Sequence, residues 1–454
     1  MAQQPSGASE ITPSTDAIPH KEPPIGTGEL EAAQQSNPIQ RFLKILGPGF
    51  ITGASDDDPS GIGTYSIAGA SLGFATLWTA LLSFPLMFTI QYICAKIGMV
   101  SGRGLASVLR QEYPRWLMYG AVSLLVIANT INAGADIGAI AAAINILVPI
   151  PAVLLIVPIA LTILSLQIWG NYRLIANTFK WLTLALLGYI GSALFSHPDL
   201  RDILHNTFIP TIRFNGVFIS TLVAILGTTI SPYLFFWQTD EEVEEKISMG
   251  QIHLSQRRGA TDTELRYAGW DVGIGMFFSN LVMYFIIFST AATLFKSGHT
   301  NIQSATDAAQ ALRPIAGDAA GILLALGLIG SGFLAVPILT GSSAYAVAES
   351  LGLRYGLDRR PGRAKEFYGI IAASTLIGML INFIGINPIF ALFWTAVLNG
   401  VLAPPLLVII MLIANNQKVM GKRTNGRVLN VLGWLTTAVM FVAAIGLVVT
   451  WKQS

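Results

Sequence analysis

Three consecutive aspartates, Asp56, Asp57 and Asp58, lie in the stretch ASDDDPSG, and both flanks of this stretch are apolar. The flanking segments FLKILGPGFITG and TYSIAGASLGFATLW have the composition of a membrane helix. A carboxylate at membrane depth is costly, and such groups usually mark the path of an ion or a substrate. No basic residue is predicted at matching depth, because Lys96 and Lys180 fall nearer the ends of their apolar runs. We therefore expect the missing positive charge to be the substrate, a cation.

The composition indicates a membrane protein. Of the 454 residues, 53% are hydrophobic and 11% are charged, whereas soluble domains carry about 25% charged residues. The net charge of +2 is too small to indicate a nucleic-acid partner. The single cysteine, Cys94, lies in an apolar run and is expected to be a packing residue.

The chain divides into a polar tail and a membrane domain. Residues 1–40 are rich in Pro, Ser, Gln and Glu and lack the basic and apolar regions of a signal peptide. We predict a disordered cytoplasmic tail at 1–40 and a transmembrane transporter domain at 41–454. The apolar runs predict about eleven spans. These spans are expected near 43–72, 74–100, 116–147, 150–168, 173–197, 216–239, 269–296, 318–349, 366–385, 388–415 and 428–451.

The basic residues predict the orientation, because loops rich in Lys and Arg remain in the cytoplasm. One set of loops holds most of them: Arg103, Arg110, Arg115, Lys246, Arg257, Arg258, Arg266, Arg354, Arg359, Arg360, Arg363, Lys365, Lys418, Lys422, Arg423 and Arg427. The opposite set holds little beyond Arg201, Arg213, Lys296 and Arg313. We expect a multi-pass protein of the plasma (inner) membrane, with the N-terminus in the cytoplasm and the C-terminus outside.

Spans one and six each contain an interruption signal. Span one has Asp58-Pro59-Ser60-Gly61, and span six has GTTISPY at 227–233. Proline removes a backbone donor and disfavours helix in the residue before it. Backbone that leaves the helix at membrane depth must line a cavity or be buried in protein. Two breaks five spans apart match inverted five-helix repeats with a substrate site between them.

The residues around both breaks are similar to those of a known family. GPGFITGASDDDPSG resembles the first helix of the NRAMP divalent-metal transporters, whose hallmark there is Asp-Pro-Gly-Asn, and GTTISPY resembles the Met-Pro-His break of their sixth helix. The likeness continues through SIAGASLGFATLW and QYICAKIGMVSGRGLASVLRQEYPRW, and it covers the chain from about residue 40 onward. The resemblance implies an all-α membrane protein of LeuT-type fold, with about eleven transmembrane helices, inverted five-helix repeats and broken helices 1 and 6. It also implies alternating access and a divalent cation held between the breaks.

The resemblance implies the metal ligands as well. Asp58 keeps the acidic position of the motif and is the expected main charged ligand. By family position, the carbonyls of Ser55 and Thr228 face the ion from the unwound segments. Ser231 is expected to add a hydroxyl, directly or through water.

Several positions depart from the family pattern. Gly61 stands where the family has a metal-binding asparagine, Ser231 replaces the methionine, and Tyr233 replaces the histidine. In the third helix, Asn132 and Ala135 replace acidic residues that the family associates with proton movement. These substitutions resemble the NRAMP-related magnesium transporter branch.

Physical chemistry favours the same hard ion. A thioether selects soft or borderline metals, and its replacement by serine leaves oxygen donors only. Magnesium requires oxygen ligands and is usually bound through one or two carboxylates and several waters. Gly61 and Ser231 are smaller than the residues they replace and leave room for those waters. No imidazole is expected at mid-membrane, because the histidines fall in the tail, in loops or at the end of a span: His20, His197, His205, His253 and His299.

The remaining acidic residues leave alternatives open. Asp56 and Asp57 either attract cations electrostatically or anchor outer-sphere waters. Asp136 is displaced by one place from a family position, so its role stays open. The stretch TDEEVEEK at 239–246 is explained most simply as a solvated helical end, with an acidic exit path as the alternative. Tyr233 is expected to be a packing or gating aromatic.

We expect an importer of hard divalent cations, Mg²⁺ first with Mn²⁺ also accepted, working by alternating access without strict proton coupling. The alternative is a proton-coupled Mn²⁺/Fe²⁺ symporter of the usual NRAMP type. An organic-substrate symporter of the same fold is disfavoured, because three aspartates at the break would repel a carboxylate. A receptor that binds metal without moving it is a further rival. Without a Walker loop or nucleophile triad, the chain is not expected to be an enzyme. We expect a monomer in the lipid bilayer with no resident cofactor.

Overall fold

The computed structural model describes residues 47–450 except 171–183, 197–198, 358 and 360. Within the residues described, every regular element is helical. The predicted tail at 1–40 and Lys180 lie outside the described residues. So do the first residues of span one, the N-terminal part of span five, Arg360, His20 and His197.

Fifteen helices of eight residues or more can be followed in the described part of the chain. They are α1 (Pro48–Asp56), α2 (Pro59–Leu72), α3 (Trp78–Ser101), α4 (Leu105–Glu112), α5 (Arg115–Leu147), α6 (Ala152–Trp169), α7 (Gly188–Phe195), α8 (Leu200–Phe208), α9 (Gly216–Thr229), α10 (Pro232–Ser248), α11 (Asp262–Thr290), α12 (Ala320–Leu351), α13 (Lys365–Ile381), α14 (Pro388–Ala414) and α15 (Arg427–Thr450). Short helices lie at Leu254–Arg257, Ala305–Ala309, Arg313–Ala316 and Gln417–Met420, and α11 continues into a π-helical turn at Ala291–Phe295.

The predicted spans correspond closely to these helices. Nine helical segments of the described chain are long and apolar enough to cross a membrane. Span one comes in addition, as the two shorter helices α1 and α2. Of span five, predicted at 173–197, the described part contains the helical turn Leu184–Leu187 and α7. The protein is therefore a multi-pass membrane protein.

The helices form a buried centre and a periphery that exposes apolar side chains. Helix α9 is almost entirely buried, α10 and the middle of α5 are largely buried, and α12 packs along α5. Helices α6 and α15 expose apolar residues such as Leu154 and Val448. An exposed apolar surface on a membrane helix is the surface that contacts lipid. The broken spans therefore lie inside the protein, surrounded by other helices.

The two breaks are shorter than the sequence suggests. Residues 57–58 separate α1 from α2, and residues 230–231 separate α9 from α10. Each proline occupies the first turn of the helix that follows the break, where a missing N–H costs nothing and a fixed φ favours helix. Ser55 and Thr228 therefore lie in the last turns of α1 and α9, and not in unwound segments as predicted. The carbonyls of a last helical turn lack intrahelical partners, so they can still face a ligand.

A glycine pair positions the second break. A Cβ atom on Gly227 would lie 2.1 Å from the carbonyl oxygen of Ala396 and 2.7 Å from the Cα of Gly400. Only glycine permits this approach, so the backbones of α9 and α14 touch beside the break. The contact fixes the depth and the direction of the last turn of α9, which carries Thr228.

The stretch 239–246 is not the solvated helical end that was predicted. It continues α10, and Asp240 and Glu242 are 3% and 5% exposed. Gln238 donates its side-chain amide to Glu242 Oε1 at 2.9 Å. Lys246 donates to the carbonyls of Met99 and Gly259. The charge pattern is typical of a solvated helix, but α10 packs against other helices along most of its length, and local sequence does not reveal that packing.

Candidate metal site

Asp58 is held by donors on both of its carboxylate oxygens. It is the N-cap of α2, and its Oδ1 accepts the backbone N–H of Gly61 at 2.6 Å. Its Oδ2 accepts the side-chain amide of Asn132, on α5, at 3.0 Å. The residue is 1% exposed. The carboxylate is therefore fixed in the protein interior, and it faces other helices.

The two breaks meet at Gly61 and Thr228. An ideal Cβ on Gly61 would lie 3.2 Å from Thr228 Oγ1 and 3.4 Å from Asp58 Oδ1. The Thr228 hydroxyl thus lies close to the first turn of α2 and close to the Asp58 carboxylate. On the other side of the breaks, the Tyr233 hydroxyl donates to the carbonyl of Ser55 at 3.1 Å. Tyr233 is buried, and it joins α10 to the end of α1, a contact that agrees with the gating or packing role expected of it.

Ser231 serves mainly the end of α9. Its hydroxyl lies 2.9 Å from the carbonyl oxygen of Gly227 and 2.7 Å from that of Thr228. The serine therefore satisfies carbonyls that the end of α9 leaves open. The Thr228 hydroxyl lies beside Gly61, and sequence reasoning, which assigned the Thr228 carbonyl, did not single that hydroxyl out.

The three aspartates do not converge on one point. Asp58 faces α5, whereas Asp56 and Asp57 face Ser279 on α11. The Ser279 hydroxyl donates to Asp56 Oδ2 at 2.6 Å and lies 3.3 Å from Asp57 Oδ1. Asp56 and Asp57 are both buried, so neither faces an open vestibule. The Asp58 carboxylate, which faces α5, is therefore separate from the pair Asp56 and Asp57, which faces α11.

Asp136 adds a fourth carboxylate beside Asp58. It lies four residues after Asn132 on α5, and residues with that spacing share a helix face. It is fully buried, close to Asp58 and to the backbone N–H of Ser60. Its one-residue displacement from the family position therefore does not remove it from the site.

These four carboxylates have no basic partner in the described chain. None of Asp56, Asp57, Asp58 and Asp136 forms an ion pair with a described Lys, Arg or His residue. Lys96 donates instead to the carbonyl of Thr424 and to the side chain of Asn425. Buried charges are normally paired or coordinate a metal. The negative charge of the site is therefore suited to a cation.

The atoms near Asp58 that can act as metal ligands are oxygen atoms. They belong to the carboxylates of Asp58 and Asp136, the hydroxyls of Thr228 and Tyr233, the carbonyl of Ser55 and the side-chain amide of Asn132. The side-chain oxygen of Asn132 has no hydrogen-bond partner among the described residues. The described histidines, His205, His253 and His299, are exposed, and His205 lies in helix α8 and not in a loop. In the part of the chain described, no three His, Cys, Asp or Glu side chains gather closely enough to hold a metal by themselves.

Sequence reasoning missed Ser279, which lies 223 positions from Asp56. A serine in an apolar helix gives no signal by itself, since many such residues bond to their own helix. Asn132 was singled out for replacing a family acid, but its bond to Asp58 was not foreseen. The only signal for either residue is a small polar side chain in an otherwise apolar span.

Comparison with known proteins identifies the family to which the chain belongs. The family model described as natural resistance-associated macrophage protein-like, or Nramp, matches residues 49–450. The divalent metal cation transporter MntH of Klebsiella pneumoniae (strain 342) is 27% identical over 405 residues, which cover 88% of this chain and 92% of that protein.

Solved structures share the fold. The manganese transporter of Eremococcus coleocola, in complex with an aromatic bis-isothiourea substituted compound, has a TM-score of 0.74 at 20% identity, covering 92% of this chain and 88% of that one. Mhp1, a nucleobase-cation-symport-1 family transporter in a closed conformation, has a TM-score of 0.53 at 12% identity, covering 90% and 92%. The predicted fold class, an all-α LeuT-type transporter, is confirmed. The relatives are transporters and not enzymes, and the chain belongs to the Nramp family of divalent metal transporters.

Proposed function

We propose that the protein imports hard divalent cations, Mg²⁺ first with Mn²⁺ also accepted, and that this import is not strictly coupled to protons. The proposed ligands are Asp58, the carbonyl of Ser55, Thr228 and Ser231, with Asp56 and Asp57 acting from a distance and Gly61 leaving room for water. The metal is cargo, and no resident cofactor is proposed. The protein is proposed to act as a monomer in the plasma (inner) membrane, with the N-terminus in the cytoplasm and the C-terminus outside.

The observation that carries the proposal is the donor set around Asp58. It consists of the Asp58 carboxylate, the Asp136 carboxylate beside it and several neutral oxygen atoms. Mg²⁺ is usually held through one or two carboxylates while it keeps several of its waters. Softer ions gain from thioether, thiolate or imidazole ligands, and none of the groups contacting Asp58 is of that kind.

Gly61 permits a close approach between the two breaks and supplies no ligand of its own. The space beside its Cα is bounded by the Thr228 hydroxyl, the edge of Tyr65 at 3.3 Å from an ideal Cβ, and the Asp58 carboxylate. An asparagine at this position would occupy that space with its own side chain. Because Gly61 has no side chain, we propose that water supplies an oxygen ligand at this position once the ion is bound.

Two features support transport without strict proton coupling. Asn132 presents an amide to Asp58 where the family has an acid, and an amide does not take up a proton at physiological pH. The described histidines lie away from the site on exposed segments. The cytoplasm-negative potential alone supplies about 4.6 kcal/mol per 100 mV for a divalent cation, at about 2.3 kcal/mol per charge.

A second candidate is a proton-coupled Mn²⁺/Fe²⁺ symporter. Asp136 favours it, because this buried carboxylate lies beside Asp58 on the helix that carries acids in the family. The names of the relatives favour it as well, since they include a manganese transporter. Proton movement distinguishes the two candidates.

Uptake into proteoliposomes tests the proposal. Purified protein is reconstituted with a Mg²⁺-sensitive dye and a pH dye in the lumen, at a fixed negative internal potential. We expect Mg²⁺ entry without stoichiometric acidification, and loss of entry in Asp58→Ala. Asp318→Ala, which changes an exposed carboxylate paired with Arg313, is the control and should transport normally. Absence of Mg²⁺ entry while Mn²⁺ enters with protons would favour the second candidate.

A further inference from the structure

The start of α1 is held by a carboxylate from another span. Asp271, on α11, accepts the backbone N–H of Gly47 at 2.9 Å and of Phe50 at 3.2 Å through Oδ1. Its Oδ2 accepts the N–H of Gly49 at 2.7 Å. Pro48 has no N–H, so Asp271 satisfies the free donors at the beginning of this helix. The carboxylate also lies at the positive end of the helix dipole.

Glycines on both helices allow the contact. A Cβ on Gly53 would lie 2.3 Å from the backbone of Gly275, and one on Gly275 would lie 2.4 Å from the carbonyl oxygen of Gly49. The backbone of α1 therefore lies directly on that of α11, with no side chain between them. Such contact is typical of small residues at helix interfaces in membranes. The close contact between α1 and α11 ends at Asp271, which is 6% exposed.

Helix α1 is the half of span one that lies between the N-terminal tail and the metal site. Because α1 is separated from α2 by the break, it can move without its partner half. In this structure it is closed against α11, and Ser55 and Asp56 at its end are buried. A movement of α1 away from α11 has to break its hydrogen bonds to Asp271.

We propose that Asp271 is a latch that holds α1 in this closed position. Its three backbone hydrogen bonds and the Gly49–Gly53–Gly275 contact hold α1 closed, and their loss shifts the population towards the state open on the tail side. In the orientation of the proposed function, on which this inference rests, that side is the cytoplasm. The carboxylate suits the task because it releases three backbone donors together when α1 moves away.

Glu349 supplies a matched control. It is a buried carboxylate on α12, and its Oε2 accepts the N–H of Ser107 at 3.0 Å, at the start of α4. The Tyr355 hydroxyl also bonds to it, and the nearby Glu349 carboxylate, followed by burial, raises the pKa of Tyr355. Glu349 thus caps a helix from another span as Asp271 does, but α4 is not a half of a broken span.

The test measures how fast a cysteine in α1 reacts with a maleimide in the detergent-solubilised full chain. The reporter is Thr52→Cys, at a position that is 0% exposed, in a Cys94→Ala background. Asp271→Asn replaces one acceptor oxygen by an amide that cannot accept an N–H. We expect labelling to become about ten-fold faster or more, and Glu349→Gln to leave the labelling rate unchanged.

Two results would overturn the latch. One is that the Thr52→Cys reporter is labelled no faster with Asp271→Asn than without it. The other is that Glu349→Gln accelerates labelling as much as Asp271→Asn does. If Asp271→Asn does not fold, Gly275→Ala decides by the same readout, because its Cβ would push α1 away without changing any hydrogen-bonding group. Labelling needs no transported ion. Failure of Mg²⁺ uptake would therefore contradict the proposed function and leave this result standing.

Discussion

At the scale of single residues, the site depends on how Asp58 is held. One oxygen caps α2 through Gly61, and the other receives the amide of Asn132. Each carboxylate oxygen can accept more than one contact, so both remain able to face a cation. The neighbouring acids are held separately by Ser279. Asn132 therefore orients Asp58, whereas Ser279 holds Asp56 and Asp57. Substitutions of Asn132 and of Ser279 should have different effects on uptake.

Asn132→Ala removes the donor that orients Asp58. A hydrogen bond to a charged group contributes about 1.5–3 kcal/mol, so the KM for Mg²⁺ should rise about ten-fold or more while the maximal uptake rate changes little. Concentration-dependent uptake in proteoliposomes measures both quantities. Asn129→Ala is the control on the same helix, because Asn129 bonds to Leu339 and two serines of α12. An equal rise of KM in both variants would show that Asn132 acts through helix packing.

Ser279→Ala removes the hydroxyl that Asp56 and Asp57 share. With the acidic pair no longer held, we expect Mg²⁺ uptake at low concentration to fall about three-fold to ten-fold, since one hydrogen bond to a carboxylate is lost. Ser279→Thr keeps the hydroxyl and should restore most of the uptake. If alanine and threonine behave alike in the uptake assay, the hydroxyl is not what matters at this position.

At the scale of elements, the sequence predicted the breaks and their positions but not their extent. Pro59 and Pro232 indicate where span one and span six are interrupted, because proline cannot continue the preceding hydrogen-bond ladder. Both prolines begin a new helix at once, so each break is limited to residues 57–58 and 230–231. Sequence patterns do not show this, because the helix that follows is stabilised by tertiary packing.

The sequence also did not reveal which residues from different helices meet at the site. Asp58 was identified from its motif position, and the structure places Thr228 beside it. Ser279, Asp136 and the buried Glu242 depend on which helix faces become neighbours, and contacts between residues far apart in the chain leave no local pattern. The membrane class, by contrast, follows from the lengths of the apolar runs, and the LeuT-type fold is implied by the family resemblance of the two breaks.

Gly227→Ala tests how the second break is positioned. A methyl group there would meet the carbonyl oxygen of Ala396, so α9 and α14 must separate. Overpacking of this kind costs about 1–3 kcal/mol, and we expect a lower melting temperature in detergent together with reduced uptake of Mg²⁺ and Mn²⁺ alike. Gly120→Ala on α5, where a Cβ would meet nothing within 4 Å, should be neutral or stabilising. A normal melting temperature for Gly227→Ala would contradict the close contact.

At the scale of the whole molecule, the protein places several carboxylates inside a membrane domain whose surface is apolar. Asp58 and Asp136 lie beside each other, Asp56 and Asp57 face Ser279 on α11, and Asp240 and Glu242 are buried on α10. The acidic exit path that the sequence left open is compatible with this arrangement. A dication entering such an interior moves with the membrane potential.

Uptake should therefore depend on voltage. An internal potential more negative by 100 mV adds about 4.6 kcal/mol of driving force for a divalent cation. We expect the final Mg²⁺ accumulation in proteoliposomes to rise steeply when a potassium gradient with valinomycin sets a more negative interior. An imposed pH gradient at zero potential should have little effect. Accumulation that follows the pH gradient and ignores the potential would support the proton-coupled alternative.

The most direct measurement of the central claim is competition between metals. Mn²⁺ uptake into proteoliposomes is followed at a fixed negative potential while Mg²⁺ is added in large excess. If oxygen donors around Asp58 hold a hydrated hard ion, Mg²⁺ suppresses Mn²⁺ entry and itself accumulates. If Mn²⁺ enters undiminished in the presence of that excess, the site discriminates against Mg²⁺, and the proposal of a hard-cation importer is contradicted.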